Sequence, residues 1–201
     1  YKRSRAQYAS DALVAEGTAF TYGGKSYDKT TGDGKALFAT DHPGKKTGVA
    51  NQSNVFTDAF GSDATVLYKL ANIGRNFKNQ SGNVMGYDFD TIIIPGNTPA
   101  LEDLIKRIIH SHQIVGSNFN DINTQEGIWK LVVDHRWEAA SGTAPYIIMS
   151  SEALRELNAG VFYDRVPLDV SNEVLNKSRN LEWSGYARWS AGFNDWRAFI
   201  M

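Results

Sequence analysis

No cysteine occurs among the 201 residues. Its absence excludes disulfide staples, thiolate metal sites and cysteine nucleophiles together. Long apolar runs are also missing. Nothing approaches the ~18 consecutive apolar residues that cross a bilayer, so no membrane partner is expected. The first residues lack the charged start and apolar middle of an export signal, and none is expected there. Charge of one sign is lacking as well: 21 basic residues stand against 22 acidic ones, a formal net charge of −1. Without a basic stripe the chain is poorly suited to tracking phosphates, so sequence-specific nucleic-acid contacts are not expected.

What is present is a hydrophobic fraction of 42%, which over 201 residues suffices for one large domain or two small lobes with a true core. Lys2, Arg3 and Arg5 precede an apolar spacing at Tyr8, Ala12, Ala15 and Ala19 that fits one helical face. Three cations oppose the macrodipole at a helix start, so this start reads as a cut through a longer helix; a frayed basic tail is the alternative. Beyond Gly17 the chain reads as a polar loop rich in Gly, Thr, Asp and Lys to about residue 54, with too few apolar residues to make a core. Ser62 marks a cap for a helix carrying Val66, Leu70, Ile73 and Phe77 on one face, ended by 79–82. Residues 91–94 read as a buried strand before Pro95-Gly96. Thr98 as cap, Pro99 at the first position and Leu101, Leu104, Ile105, Ile108 and Ile109 on one side predict a strong helix. Residues 116–127 read as turn, 128–133 and 146–149 as strands, and 151–158 as a short helix closed by Gly160. Alternation over 181–193 predicts a long half-buried strand, paired with 195–200 across the 192–195 turn.

Four motifs suggest chemistry. GGKS at 23–26 lacks the first glycine of a phosphate loop, since position 19 is alanine, and follows a helix rather than a strand. Gly32 and Gly34 are therefore expected to supply positive φ angles in a turn. Ser26 and Lys29 match S-x-x-K, but in a polar loop rather than on the buried helix that acyl transfer needs. His110 and His112 lie two apart, unlike the i, i+4 pair that binds zinc from a helix, and His135 follows Asp134. The five tryptophans could make a sugar platform, although on alternating strands aromatics belong more often to a core or a subunit contact. No catalytic set emerges; no catalytic residue, cofactor or metal is assigned, and no enzyme is expected.

GDGKALFATDHP at 32–43 with NQSN at 51–54, RNFKNQSGNVMGYDFDTIIIPGNTPALEDLIKRIIHS at 75–111, NFNDIN at 118–123 before IWKLVVD at 128–134, and ARWSAGFNDWRAFI at 187–200 follow one another in order. In that order they resemble the major head (capsid) proteins of Mu-like tailed phages. The resemblance implies an α+β, Hong Kong 97-like capsid fold. Residues 1–83 and 181–201 would form a peripheral domain with a spine-helix remnant and an extended loop, and 84–180 an axial domain. The family places an N-terminal arm, an extended hairpin loop and the front of the spine helix ahead of the position of Tyr1, so the chain looks N-terminally truncated. The implied function is self-assembly into hexamers and pentamers of an icosahedral head enclosing double-stranded DNA without sequence-specific contacts. Implied partners are further copies of the chain, with scaffold, protease and portal proteins, in a virion assembled in the bacterial host cytoplasm. Trp137, Arg188, Trp189 and Trp196 are candidate anchors, each either subunit contact or core. The alternatives are an encapsulin-like compartment shell, a small metal-dependent hydrolase using His110, His112, His135 and Asp134, and a carbohydrate-binding module using the tryptophans.

Overall fold

The fold is mixed α+β, described for residues 2–61, 64–114, 121–174 and 181–201 of a computed structural model. Helix α1 spans Lys2–Val14 and buries Tyr8, Ser10 and Ala12. The apolar face expected through Ala19 stops there, because Gly17 turns the chain at φ 74° and Ala19 already belongs to a strand. Strands β1 (Ala19–Tyr22) and β2 (Lys25–Asp28) form an antiparallel hairpin in the stretch expected to be loop. Gly23 and Gly24, both at positive φ, close the two-residue turn, and this is the structural role of the GGKS segment. Tyr8 meets Phe20, Tyr22 and Tyr27 edge-on at ring distances of 4.9, 5.2 and 5.3 Å, forming a small aromatic cluster between helix and hairpin.

Residues 30–61 carry no regular element, yet they do contribute to the core. Leu37, His42 and Asn54 are all buried. Gly34 takes the expected positive φ of 83°. Gly32 does not; it is needed for close approach, since a Cβ there would lie 2.9 Å from the Asn194 carbonyl oxygen.

Helix α2 spans Thr65–Arg75, with Val66, Leu67, Leu70 and Gly74 buried. The proposed cap Ser62 lies outside the described residues, and Ala64 occupies the N-cap position without a side-chain bond. Phe77 is buried just past the helix, and the Asn79 side chain closes the following turn on the N–H groups of Ser81 and Asn83.

The central sheet has the order β4-β3-β5-β8. Strand β3 (Thr91–Pro95) is buried at every residue, as its β-branched run predicts. Helix α3 (Pro99–His110) carries the chain to β4 (Lys130–Asp134), which pairs parallel to β3. Thr98 sits at the α3 N-cap position, but its hydroxyl donates to the Pro95 carbonyl instead of accepting from the helix. Leu101, Ile105, Ile108 and Ile109 are buried, and burying each such side chain contributes about 1.5–3 kcal/mol. Strand β5 (Ile147–Met149) pairs antiparallel with β3, and β8 (Phe199–Ile200) pairs antiparallel with β5. The N–H of Met201 donates to Asn54 and the N–H of Phe56 to Met201, extending the sheet edge by one irregular strand. Helix α4 (Ser151–Glu156) is capped by Ser150, whose hydroxyl accepts from the Ala153 N–H. Asn158, not Gly160, supplies the left-handed residue after α4, and Gly160 opens the next strand.

Strands β6 (Gly160–Val174) and β7 (Leu181–Phe193) form a separate antiparallel ribbon. This overturns the expected pairing of 181–193 with 195–200. Phe199 and Ile200 are 2% and 0% exposed beside β5, so the apolar chain end gains more from the core than a ribbon edge could offer. The expected half-buried strand is also corrected: β7 is exposed from Leu181 to Tyr186 and partly buried only nearer its end.

Candidate functional site: an amphipathic ribbon

In an antiparallel ladder, directly opposed residues share a face and successive pairs alternate between faces. Near its base, Asp164↔Trp189, Phe162↔Ala191 and Gly160↔Phe193 lie on one face. Helix α1 covers it. Arg5 pairs with Asp164 at 3.0 Å and lies 4.5 Å from the centre of the Phe162 ring, while Trp189, Ala191 and Phe193 pack on the Tyr8–Phe20 cluster.

Further out the two faces separate by chemistry. Val170↔Gly185 and Asn172↔Trp183 share one face with Leu181; Leu168 joins it, its Cδ1 lying 3.7 Å from where a Gly185 Cβ would be. Asp169↔Tyr186, Ser171↔Ser184 and Glu173↔Glu182 share the other, where the two serine hydroxyls meet at 2.6 Å. Leu168, Val170, Leu181 and Trp183 are 44%, 55%, 52% and 65% exposed. The outer ribbon is thus apolar on one face and acidic on the other, with both faces in solvent. Register shifts fall on either side of Val166, next to Pro167, between base and outer part, as expected for a residue that cannot donate to a ladder.

The named anchors divide. Trp137 and Trp196 are core residues at 7% and 1% exposure. Arg188 is exposed on the ribbon opposite Val166, and Trp189 is partly buried against the α1 cluster. The most exposed tryptophan, Trp183, is not among those anchors. Its strand partner β6 carries Pro167, which argues against a strand; the signal available was the alternation of Val166, Leu168 and Val170 with Arg165, Pro167, Asp169 and Ser171.

The histidines do not converge. His112 pairs with Glu126 at 2.7 Å, and the Asp134 carboxylate accepts from Ser10 and from the Arg136 N–H. Among the described residues no three His, Asp or Glu side chains form a group that could hold a metal. Ser26 is exposed on β2, whereas Lys29 is buried and donates to the Ala12 and Ala15 carbonyls at the α1 C-terminus, a structural role for the S-x-x-K lysine. A cleft of about 670 Å³ lies beside the sheet edge, walled by Phe38, Phe56, Pro145, Tyr146 and Met201, with Glu16 and Asp58 among its polar groups and no histidine. Burial pushes the Tyr146 phenol up to about 12, so it remains a donor to the Asp58 carbonyl at 2.7 Å.

No protein-family model matches the chain, and no curated protein matches it significantly. No helix among the described residues is long and apolar enough to cross a membrane.

Proposed function

We propose that this chain is a major capsid protein of the Mu-like tailed-phage kind, assembling through copies of itself into hexamers and pentamers of an icosahedral head around double-stranded DNA. The observation that carries this reading is the outer β6–β7 ribbon. A two-stranded ribbon is marginal in water unless another surface covers its apolar face. Here Leu168, Val170, Leu181 and Trp183 present that face uncovered. A contiguous apolar strip rimmed by charge marks an association surface.

The opposite face narrows the partner. Glu173 and Glu182 stand directly across from one another, an arrangement of like charge that destabilises the ribbon until a cation approaches. The same chain exposes Lys2, Arg3, Lys45 and Lys46. A second copy can therefore supply both an apolar cover and a basic counterpart. Contacts between unlike patches of identical chains are heterologous and close into rings, from which a shell can be built. The four motif segments of the capsid resemblance point the same way. Under this reading the segments 1–83 and 181–201 expected to be peripheral meet where α1 lies against β7 at the ribbon base. The near-zero net charge suits a wall that encloses DNA without reading its sequence.

Electron microscopy and sedimentation velocity on the protein expressed alone test the proposal. Rings or shells growing with concentration are expected. A monodisperse monomer at every concentration overturns it.

A further inference from the structure

Segment 30–54 is held on the core by buried polar side chains whose donors and acceptors can be counted. Asn54 is 1% exposed, His42 is fully buried, and the Asp33 side chain is 8% exposed. Asn54 Nδ2 donates to the Leu37 carbonyl at 2.8 Å and the Phe199 carbonyl at 3.1 Å, so a flipped amide would turn its oxygen onto two acceptors. Asn54 Oδ1 is therefore the atom that accepts from the Ala39 N–H at 3.0 Å and faces His42 Nε2 at 3.1 Å. On its other side, His42 Nδ1 lies 2.7 Å from Asp33 Oδ2. The remaining Asp33 oxygen accepts from the Thr31 hydroxyl at 2.6 Å and the Lys35 N–H at 3.1 Å.

A neutral imidazole has one N–H and one lone pair, and cannot donate to a carboxylate and an amide oxygen at once. One additional proton is required. Burial pushes the Asp33 carboxyl up, but the hydrogen bonds from Thr31, His42 and Lys35 and the charge of His42 outweigh it and hold the group below the usual carboxylate value. The additional proton thus belongs on the ring. There it also suits the Trp196 indole, stacked on His42 at 4.1 Å and 10°. The other charged groups nearby form closed pairs: Arg197, 4.7 Å from the Trp196 ring, with Asp195, and Lys35 with Asp41. Asp33 is left as the carboxylate facing the ring.

We propose that Asp33, His42 and Asn54 form a proton-dependent latch that clamps segment 30–54 over Trp196 and the sheet edge while His42 carries both protons, and releases it when one is lost. Deprotonation leaves a buried ring lone pair against either the carboxylate or the Asn54 oxygen. Both arrangements are repulsive, and opening the segment to water relieves them. With one proton released on opening, the opening constant rises about tenfold per pH unit. This inference does not depend on the chain building a shell.

Nitrogen-15 NMR on the full chain tests the first half: both ring nitrogens of His42 are expected to be protonated in the closed state. Hydrogen exchange over a rising pH series tests the second. After correction for intrinsic exchange, the His42 and Asn54 amides are expected to lose protection about tenfold per pH unit. Asp33→Asn separates the latch from simple packing. The new amide can donate to Nδ1 of a neutral ring while its oxygen still accepts from Thr31 and Lys35, so the pH slope is expected to vanish with the segment shut. An unprotonated ring nitrogen in the closed wild type, or the same slope in both proteins, overturns the proposal. The NMR measurement decides it even if Asp33→Asn does not fold.

Discussion

Replacing Trp183 with alanine separates the stability of the chain from the stability of its contacts. Trp183 is 65% exposed in the single chain. Of the roughly 250 Å² that a tryptophan can bury, about 160 Å² is then open to a partner. At ~25 cal/mol per Å², covering that area contributes about 4 kcal/mol per contact. Because ~1.4 kcal/mol is a tenfold change in an equilibrium constant, full coverage amounts to roughly three orders of magnitude and partial coverage to one or two. The cost to the isolated chain is smaller. The remaining ~90 Å² is what the fold itself covers, and alanine keeps part of that contact, so the fold loses about 1–2 kcal/mol at most. Dilute protein is unfolded in urea to measure the second quantity, and a concentration series in the analytical ultracentrifuge measures the first. Trp183→Ala is expected to raise the assembly threshold by at least ~10-fold while the urea midpoint moves little. An unchanged threshold refutes the ribbon as a contact surface. A loss of stability as large as the assembly defect refutes it as well, because Trp183 would then be holding the fold.

Two further outcomes follow from the core. In Gly74→Ala the new Cβ would sit 2.1 Å from Phe89 Cε2, and overpacking of about 3 kcal/mol exceeds the ~1 kcal/mol gain in helix propensity. Thermal unfolding several degrees below wild type is expected, and an unchanged or raised midpoint contradicts the close approach. Burial pulls the Lys29 ammonium down to about 8. An unfolded lysine keeps its proton to ~10.4, so between those values the unfolded chain binds more protons and the Lys29 contribution to stability rises with pH. The wild-type minus Lys29→Met difference in unfolding free energy is expected to climb over that window; a flat difference shows that Lys29 titrates as if exposed.

How much was legible in the sequence depended on how local each signal is. Strand β3 and helix α3 announce themselves, because a β-branched run before Pro95-Gly96 and an apolar stripe after Pro99 are set by neighbours within one or two turns. The β1–β2 hairpin was missed although Gly23-Gly24 is a turn signal, since four-residue strands such as 19–22 and 25–28 carry little periodicity. Strand β6 is hidden because a proline inside a run, here Pro167, argues against a strand. The β7 pairing was assigned to its nearer neighbour in sequence, 195–200. Trp137 and Trp196 could not be told from contact residues by composition, while Trp183 on the same alternation as Trp189 proved exposed.

The sequence by itself determined the class of the protein: no thiols, no membrane-crossing helix in its apolar runs, balanced charge, and enough apolar residues for a core. Those properties are sums over residues and do not depend on arrangement. Only the tertiary structure decided that Phe199 and Ile200 join β5, that the ribbon keeps one apolar and one acidic face in water, and that His42, Asp33 and Asn54 meet in one buried hydrogen-bonded set. Each depends on which distant segments meet. That choice follows from the competition to bury apolar surface across the whole chain, a competition in which local pattern has only one voice.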